Sequence, residues 1–374
     1  MTAGAGTGRW TRRVVSLPAV VITLVVATVL APLWVPASIL ADVVLRRWRL
    51  PTLRVATFVW QVLVIETLSM LVAFVLWLAL LGRVHSRASQ RVHSRMQWWW
   101  AGQIAAAGRR SVRLRFDTTL DAPLSPGPVI AVGRHASYAD AILPALLFGT
   151  ERHLELRYVL AAGLAWDPCL DVYGHRLRNH FVDRAATDSS ADIDAIAGLV
   201  ADLGANDAAV IFPEGRFFTP ARRERGLDRL RATDPALAAR AASLRNVLPP
   251  RPGGTLAMLR GAPDADVVVI AHTGLEQFVT VRDIWRNAPL REPVRAQTWR
   301  HPRHTLPTRD DELVEWLYDQ WHLVDRWIDE HSSSATHTAD RDDHHQDQHQ
   351  HQDQDHDQHD HRRAARGPIT KGER

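Results

Sequence analysis

The sequence predicts an α/β protein in which an N-terminal transmembrane helical hairpin precedes one α/β domain with a mixed central sheet flanked by helices. Residues 14–82 contain two long apolar runs. From residue 113 to 330 short apolar runs alternate with amphipathic stretches, which is the rhythm of strands and helices in one domain. We divide the chain into a cytoplasmic N-terminus (1–13), the hairpin (14–82), an interfacial linker (83–112), the α/β domain (113–330) and a disordered tail (331–374).

The apolar runs predict a membrane anchor. Residues 14–41 carry no charge and exceed the roughly 20 residues needed to cross a hydrocarbon core. Residues 55–82 form a second run, interrupted only by Glu66, and arginines separate the two runs and flank both ends. The positive-inside rule then places the folded domain of an integral cell-membrane protein on the cytoplasmic face. The arginines between the runs leave open a hairpin that enters only one leaflet.

The residues around the anchor allow more than one interpretation. Glu66 inside an apolar run is a candidate functional residue, or else it pairs with a loop arginine or lies protonated against the partner helix. The Trp98–Trp100 run fits an interfacial element among the lipid headgroups, and equally fits a core cluster.

The α/β domain shows strands and helices by pattern. Ile193, Ile196, Val200 and Leu203 lie on one face of a helix that Ser189 or Ser190 opens. Buried strands are predicted at Pro128–Val132, Arg157–Ala161, Ala208–Phe212 and Val267–Ala271.

The composition of the chain excludes several kinds of partner and cofactor. Cys169 is the only cysteine, so neither an intramolecular disulfide nor a multi-cysteine zinc site can form. The formal charge of +4 is carried almost wholly by arginine, which suits an anionic membrane surface better than a nucleic acid. The tail from residue 331 to 361 is nearly all His, Asp, Gln and Ser, and weak metal binding there is an alternative to plain solvated sequence. We predict no cofactor, no specific metal site and no nucleic-acid partner.

His135 is the candidate catalytic base. The segment from Val129 to Leu147 reads as a strand that ends at Gly133 and a helix that begins near Ser137, with His135 in the turn between them. Positions five apart in one helix lie roughly 140° apart, so His135 meets Asp140 only because it precedes the helix. A histidine with one nitrogen held by a carboxylate can take a proton from an attacking alcohol with the other. An N-terminal histidine with a purely structural role is the alternative.

The sequence lacks the signals of a covalent intermediate. No serine lies in a G-x-S-x-G turn and no cysteine closely follows His135. The acceptor hydroxyl itself is therefore the expected nucleophile, in a single displacement.

Two further segments supply candidate phosphate ligands. An apolar strand ends at Pro213 and leads into Glu214, Gly215 and Arg216. Glycine allows close backbone approach to a ligand, and the arginine fork matches phosphate oxygens. Glu214 either orients Arg216 or binds an acceptor hydroxyl, and Arg184, at the end of N-H-F-V-D-R, offers a second cation.

These three segments, taken in their order along the chain, resemble the 1-acylglycerol-3-phosphate acyltransferase family over about Pro128–Glu276. The family motif N-H-x-S-x-x-D is matched by His135, Ser137 and Asp140, and the resemblance implies that His135 is the catalytic base and Asp140 its orienting carboxylate. Ser137, Arg184, Glu214, Gly215 and Arg216 are the implied substrate-binding residues.

This chain departs from the family pattern at two places. Arg134 replaces the asparagine before the histidine, and in the F-P-E-G-T-R motif Arg216 takes the threonine position and Phe217 the arginine position. Leu244–Leu259 resembles a segment of the lysocardiolipin and lysophosphatidylinositol acyltransferase subgroup.

The resemblance implies an enzyme that moves a fatty acyl group from acyl-CoA or acyl carrier protein to a hydroxyl of lysophosphatidate, giving phosphatidate. Membrane lipids, the thioester donor and the lysophospholipid acceptor are the expected partners. A larger lysophospholipid is the alternative acceptor. A non-catalytic, membrane-anchored lipid-binding protein is the alternative from another class.

Overall fold

A computed structural model describes residues 3–80, 82–83, 86–182 and 190–332, with side chains from residue 11. The chain divides into two units, Met1–Glu330 and His331–Arg374. Of the predicted tail, only His331 and Ser332 fall within the described ranges.

Helices and strands alternate through most of the described residues, as the sequence predicts. Several short 3₁₀ turns join them, and one π-helical turn, Ala145–Thr150, extends α5. The helices are α1 (Ala3–Val29), α2 (Ala31–Val44), α3 (Pro51–Ala79), α4 (Arg87–Val112), α5 (Ile142–Pro144), α6 (Pro168–Arg176), α7 (Ser190–Val200), α8 (Pro220–Thr233), α9 (Pro235–Ala241), α10 (Pro252–Gly261), α11 (Val281–Asn287) and α12 (Asp310–His331). The strands are β1 (Phe116–Leu120), β2 (Val129–Gly133), β3 (Glu155–Ala161), β4 (His180–Val182), β5 (Asp207–Ile211), β6 (Asp266–Thr273) and β7 (Val294–His301).

The strands form one mixed sheet in the order β1-β7-β6-β2-β5-β3-β4. All neighbouring pairs are parallel except β6 with β7. One apolar core lies between this sheet and the side of α3 and α4, and a second lies on the other face against α7, α10 and α12. The predicted mixed sheet is confirmed, and β2, β3, β5 and β6 overlap the four predicted strands.

The first apolar run, which the sequence predicts to be a transmembrane helix, consists of two helices in the structure. The break falls at Leu30, between α1 and α2. Pro32 has no N–H and its ring clashes with the preceding turn, which ends α1 at Val29. The indole of Trp34 donates to the carbonyl of Ala27 at 2.7 Å, which satisfies one of the carbonyls that the break exposes.

The predicted interfacial linker is mostly helix α4, packed along α3. Trp98 donates to the carbonyl of Leu154 at 3.1 Å, and Trp100 donates to Glu66 at 2.8 Å. Glu66 therefore bonds to a tryptophan of α4. Trp98 and Trp100 therefore serve in packing, whereas Trp99 is exposed.

The hairpin contacts the α/β domain at its start and at its turn. Asp171 of α6 accepts from Arg13 near the start of the hairpin. Where α2 turns into α3, fully buried Asp42 accepts from the amide of Thr52 at 3.0 Å, and the Thr52 hydroxyl accepts from Trp285 of α11 at 3.0 Å. α3 therefore runs alongside the domain.

Candidate active site

The candidate base lies at the carboxyl edge of the sheet. β2 pairs with β5 on one side and with β6 on the other, so the residues that follow β2 and β5 meet beside the end of β6. His135 is the second residue after the end of β2. Its ring stacks on Phe212, with 5.1 Å between centroids, and Gly133 makes this possible because a Cβ there would lie 2.9 Å from the Phe212 ring.

His135 and Asp140 form the predicted pair. Nδ1 of His135 lies 2.8 Å from Oδ2 of Asp140, and the carboxylate accepts its hydrogen. The same oxygen accepts from the amides of Ala136 and Ser137. Within the described residues Nε2 of His135 has no hydrogen-bond partner, and the side chain is 18% exposed. The tautomer is thus fixed, with Nε2 left as the proton acceptor.

Asp140 stays ionised although it is fully buried. Burial alone would raise the pKa of Asp140, but the nearby His272 and His135 imidazoles and the amide of Ser137 together hold it below the ordinary value. Nε2 of His272 lies 3.6 Å from Oδ1 of Asp140 and bonds to the carbonyl of Arg134 at 3.2 Å. A buried carboxylate stabilises the imidazolium that forms when His135 takes a proton.

Ser137 is fully buried and begins the helical turn that carries Asp140. Its hydroxyl donates to Oδ1 of Asp140 at 3.0 Å and accepts from the amide of Ala139 at 3.1 Å. With the bond from the Ser137 amide to Asp140, this is a capping box. Its contact with a substrate stays a prediction, whereas its role in positioning Asp140 is visible in the structure.

Glu214 connects the His135 turn to the loop that precedes α10. One oxygen accepts from the amide of His135 at 2.8 Å, and the other accepts from the amide of Leu248 at 2.9 Å. Burial raises the pKa of Glu214 to about 8. Both carboxyl oxygens are thereby committed to backbone amides, so Glu214 orients the base rather than Arg216 in this structure.

The displaced arginine lies on the loop between β5 and α8. Gly215 has a φ of +68°, a conformation that favours glycine, and this turns the chain towards Arg216, which is exposed. Phe217, at the family's arginine position, is buried and lies edge-on to His135. The guanidinium of Arg222 lies 4.2 Å from the centroid of Phe217. A second cation therefore lies beside one of the two aromatic rings, Phe212 and Phe217, that contact His135.

Arg134, which replaces the family's asparagine, is a buried connector. Its guanidinium donates to the carbonyl of His272 at 2.6 Å, to Glu276 at 3.3 Å and to the carbonyl of Asn246 at 3.3 Å. It thus joins the end of β2 to the end of β6 and to the loop that also bonds Glu214. This substitution makes the edge of the sheet rigid rather than contributing an exposed cation.

Arg184 lies outside the described residues, so the structure gives no position for the second predicted phosphate ligand. The strand that leads towards it, β4, pairs with β3 at the far edge of the sheet. In the described part of the chain no three His, Cys, Asp or Glu side chains are grouped as metal ligands.

Sequence reasoning missed His272, Arg134 as a connector, and Arg222. His272 had one signal: it ends the apolar run V-V-V-I-A-H-T, where a polar residue has no place in a buried strand unless it is bonded. Arg222 had no signal in the sequence, because its position over Phe217 is set by the direction in which α8 leaves the preceding loop.

Part of the chain is similar to known proteins. The family model named Acyltransferase matches residues 115–273, which include β2, β5 and nearly all of the residues described around His135. No curated protein matches the chain. Among solved structures, that of the 1-acyl-sn-glycerophosphate (LPA) acyltransferase PlsC from Thermotoga maritima is similar with a TM-score of 0.45 and 14% identity, covering 76% of this chain and 97% of that one.

The sheet, the His135–Asp140 pair and the family match define an acyl-transferring enzyme. Residues 115–273 match the Acyltransferase family model, and the predicted acyltransferase class is confirmed. Among the described residues, two helical segments, Thr11–Val29 and Pro51–Ala79, are long and apolar enough to cross a membrane, which supports the predicted membrane association.

Proposed function

We propose that this enzyme transfers a fatty acyl group from a thioester to the free hydroxyl of lysophosphatidate, forming phosphatidate. Nε2 of His135 takes the hydroxyl proton as the oxygen attacks the thioester carbonyl carbon. The tetrahedral adduct then collapses with cleavage of the C–S bond. The imidazolium returns the proton to the departing sulfur, so the products are an ester and a free thiol, and the enzyme is unchanged.

The observation that carries this proposal is the 2.8 Å contact between Nδ1 of His135 and fully buried Asp140. A scaffold that only binds lipid has no need to hold a histidine in one tautomer with its second nitrogen unoccupied. The fixed pair supports base catalysis. The Ser137 hydroxyl beside it donates to Asp140 rather than to His135, which supports direct attack by the acceptor.

Arg216 is our first candidate for the acceptor phosphate, since it is exposed on the loop that also holds Glu214. Gly215 allows the phosphate to approach the backbone of this loop. Arg222 stands one aromatic ring away from His135 and is a second candidate. Arg184, on the segment after β4, is the third. The donor is acyl-CoA or acyl carrier protein, and the apolar wall of Phe212 and Phe217 supports binding of the reacting end of an acyl chain.

The test is to incubate the purified full-length protein in detergent with radiolabelled palmitoyl-CoA or palmitoyl carrier protein and a panel of lysolipids. We expect labelled phosphatidate to form faster than any other diacyl product. Faster acylation of lysophosphatidylinositol or of lysocardiolipin would replace the proposed acceptor, and no product with any acceptor or donor would overturn catalysis itself.

We further propose that the hairpin enters one leaflet, with the domain on the cytoplasmic face. Thr52 at the start of α3 accepts from Trp285, and the carbonyl of Ala73 near its end accepts from Arg176 of α6 at 2.6 Å. A spanning segment would instead carry one end about 30 Å away across the hydrocarbon core. The test labels Arg49→Cys and Asp311→Cys, each in a Cys169→Ser background, with a membrane-impermeant maleimide. Both cysteines should react from the same side of sealed vesicles, and labelling of Arg49→Cys only from the opposite side would contradict the arrangement.

A further inference from the structure

A basic cavity lies where the hairpin meets the α/β domain, away from His135. It has a volume of about 720 Å³ and is lined in part by the connection between α2 and α3, the end of α4 and the segment before β7. β1, which begins at this cavity, is separated from β2 by two intervening strands. We name it the arginine pocket after its six arginines, Arg49, Arg54, Arg109, Arg113, Arg115 and Arg291.

The arginine pocket concentrates positive charge without compensation. Its other lining residues are Trp48, Leu114, Pro289 and Leu290, so none of the lining residues is acidic. Among the described residues no carboxylate lies within ion-pair distance of any of the six guanidinium groups. Like charges that converge in this way repel one another, and a bound anion removes that repulsion.

Backbone contacts hold parts of this cluster in place. Arg54 donates to the carbonyl of Arg49 at 2.8 Å and to that of Ser111 at 2.9 Å, and Arg115 donates to the carbonyl of Arg291. Arg113 ends α4 with a φ of +60°, in the left-handed region where glycine is favoured. This conformation is unfavourable for any residue with a Cβ, so the backbone at Arg113 is held by its surroundings.

The pocket adjoins apolar surface. Trp48 on its rim is 74% exposed, and Val44 and Leu45, at the end of α2 just before it, are exposed as well. An amphiphile could therefore lay its chains along the hairpin while its phosphates enter the pocket. Tryptophan beside arginine is also the composition of the membrane interface.

We infer that the arginine pocket binds the phosphate groups of an anionic membrane phospholipid, as a site separate from the catalytic one. The continuity of exposed apolar surface and six cations favours a lipid over a soluble polyphosphate such as CoA. The size of the pocket and its charge favour a headgroup with two phosphates over one with a single phosphate. The inference does not depend on which lysolipid the enzyme acylates.

The test measures lipid binding to the full-length protein in detergent by native mass spectrometry, where no charged bilayer adds a general attraction. Phosphatidylcholine, phosphatidylglycerol and cardiolipin are titrated separately, and CoA is added as a soluble competitor. The pocket variant is Arg49→Gln/Arg113→Gln/Arg291→Gln, whose three side chains donate no described hydrogen bond. The matched control is Arg87→Gln/Arg91→Gln/Arg95→Gln, which removes three exposed charges from α4 beyond the pocket.

Cardiolipin should bind most tightly, and the pocket variant should weaken it roughly ten- to a hundred-fold, since each interfacial arginine contributes about one kcal/mol. The control variant should change the affinity less than about threefold. Equal losses of cardiolipin affinity in the two variants would mean that binding depends on general surface charge and not on the pocket. Displacement of cardiolipin by CoA would mean that the pocket binds the acyl donor instead. If the triple variant does not fold, Arg109→Gln/Arg113→Gln answers the same question.

Discussion

Asp140→Asn separates the charge of the buried carboxylate from its geometry. The amides of Ala136 and Ser137 both point at Oδ2 of Asp140, so an asparagine must place its oxygen there and its NH₂ group towards the Ser137 hydroxyl, which can rotate to accept. His135 would then keep its Nδ1–H tautomer. What the variant loses is the negative charge beside the imidazolium that forms during transfer.

That loss sets the expected rate. A hydrogen bond to a charged partner is worth about 1.5 to 3 kcal/mol, and the low dielectric around a fully buried group strengthens it. A loss of about 2 to 4 kcal/mol in the transition state lowers kcat roughly 30- to 1000-fold. KM should change little, because Asp140 is buried beneath the histidine and does not contact the substrate.

The assay measures initial rates of phosphatidate formation, with the thermal unfolding midpoint as a check on folding. Asp283→Asn is the matched control, since Asp283 forms the same kind of capping box with Thr280 on the exposed start of α11. It should keep wild-type activity. A folded Asp140→Asn enzyme within about threefold of the wild-type kcat would refute the role given to this charge, as the expected loss is at least tenfold larger.

Three further predictions concern the surroundings of the pair. Burial raises the pKa of Glu214 from its ordinary 4.5 to about 8, so between these pH values the folded state binds a proton that the unfolded state has lost. Stability should therefore fall as pH rises from 4.5 through 8. Glu214→Gln should flatten this decline in thermal melts, and an equal dependence of the melting temperature on pH in both proteins would contradict the shift. Arg216→Ala should raise the acceptor KM roughly ten- to a hundred-fold while the donor KM stays constant. The acceptor KM of Arg216→Lys should lie between those of Arg216→Ala and the wild type. An unchanged acceptor KM in Arg216→Ala would show that Arg216 does not bind the acceptor. Arg134→Ala removes a buried guanidinium with three hydrogen bonds and should cost about 3 kcal/mol of stability, measured by urea unfolding in detergent. A loss below about 1 kcal/mol would mean that the connector is dispensable.

The local part of the site could be predicted from the sequence because its residues are neighbours in the chain. His135 and Asp140 are joined by a single turn between a strand and a helix, and that turn has a recognisable pattern. The strands were evident for a similar reason, since each is a short apolar run. Pro32 is a sequence signal for the break at Leu30. The length of the uncharged run nevertheless favoured the interpretation as a transmembrane helix.

The partners that arrive from distant parts of the chain could not be predicted. His272 reaches Asp140 only because β6 pairs with β2, and nothing in a single sequence specifies that pairing. The contact between Thr52 and Trp285 joins residues 233 positions apart, so the close approach of the hairpin to the domain was equally hidden. The arginine pocket is built in the same way, from cations of three separate segments of the chain.

The turnover of His135→Gln tests the central claim most directly. Glutamine occupies a similar volume but cannot accept a proton from the acceptor hydroxyl, so phosphatidate formation from labelled palmitoyl-CoA and lysophosphatidate should fall roughly 100- to 10,000-fold. His304→Gln, at an exposed histidine outside the site, should keep wild-type turnover. A folded His135→Gln enzyme that turns over at the wild-type rate would contradict His135 as the catalytic base.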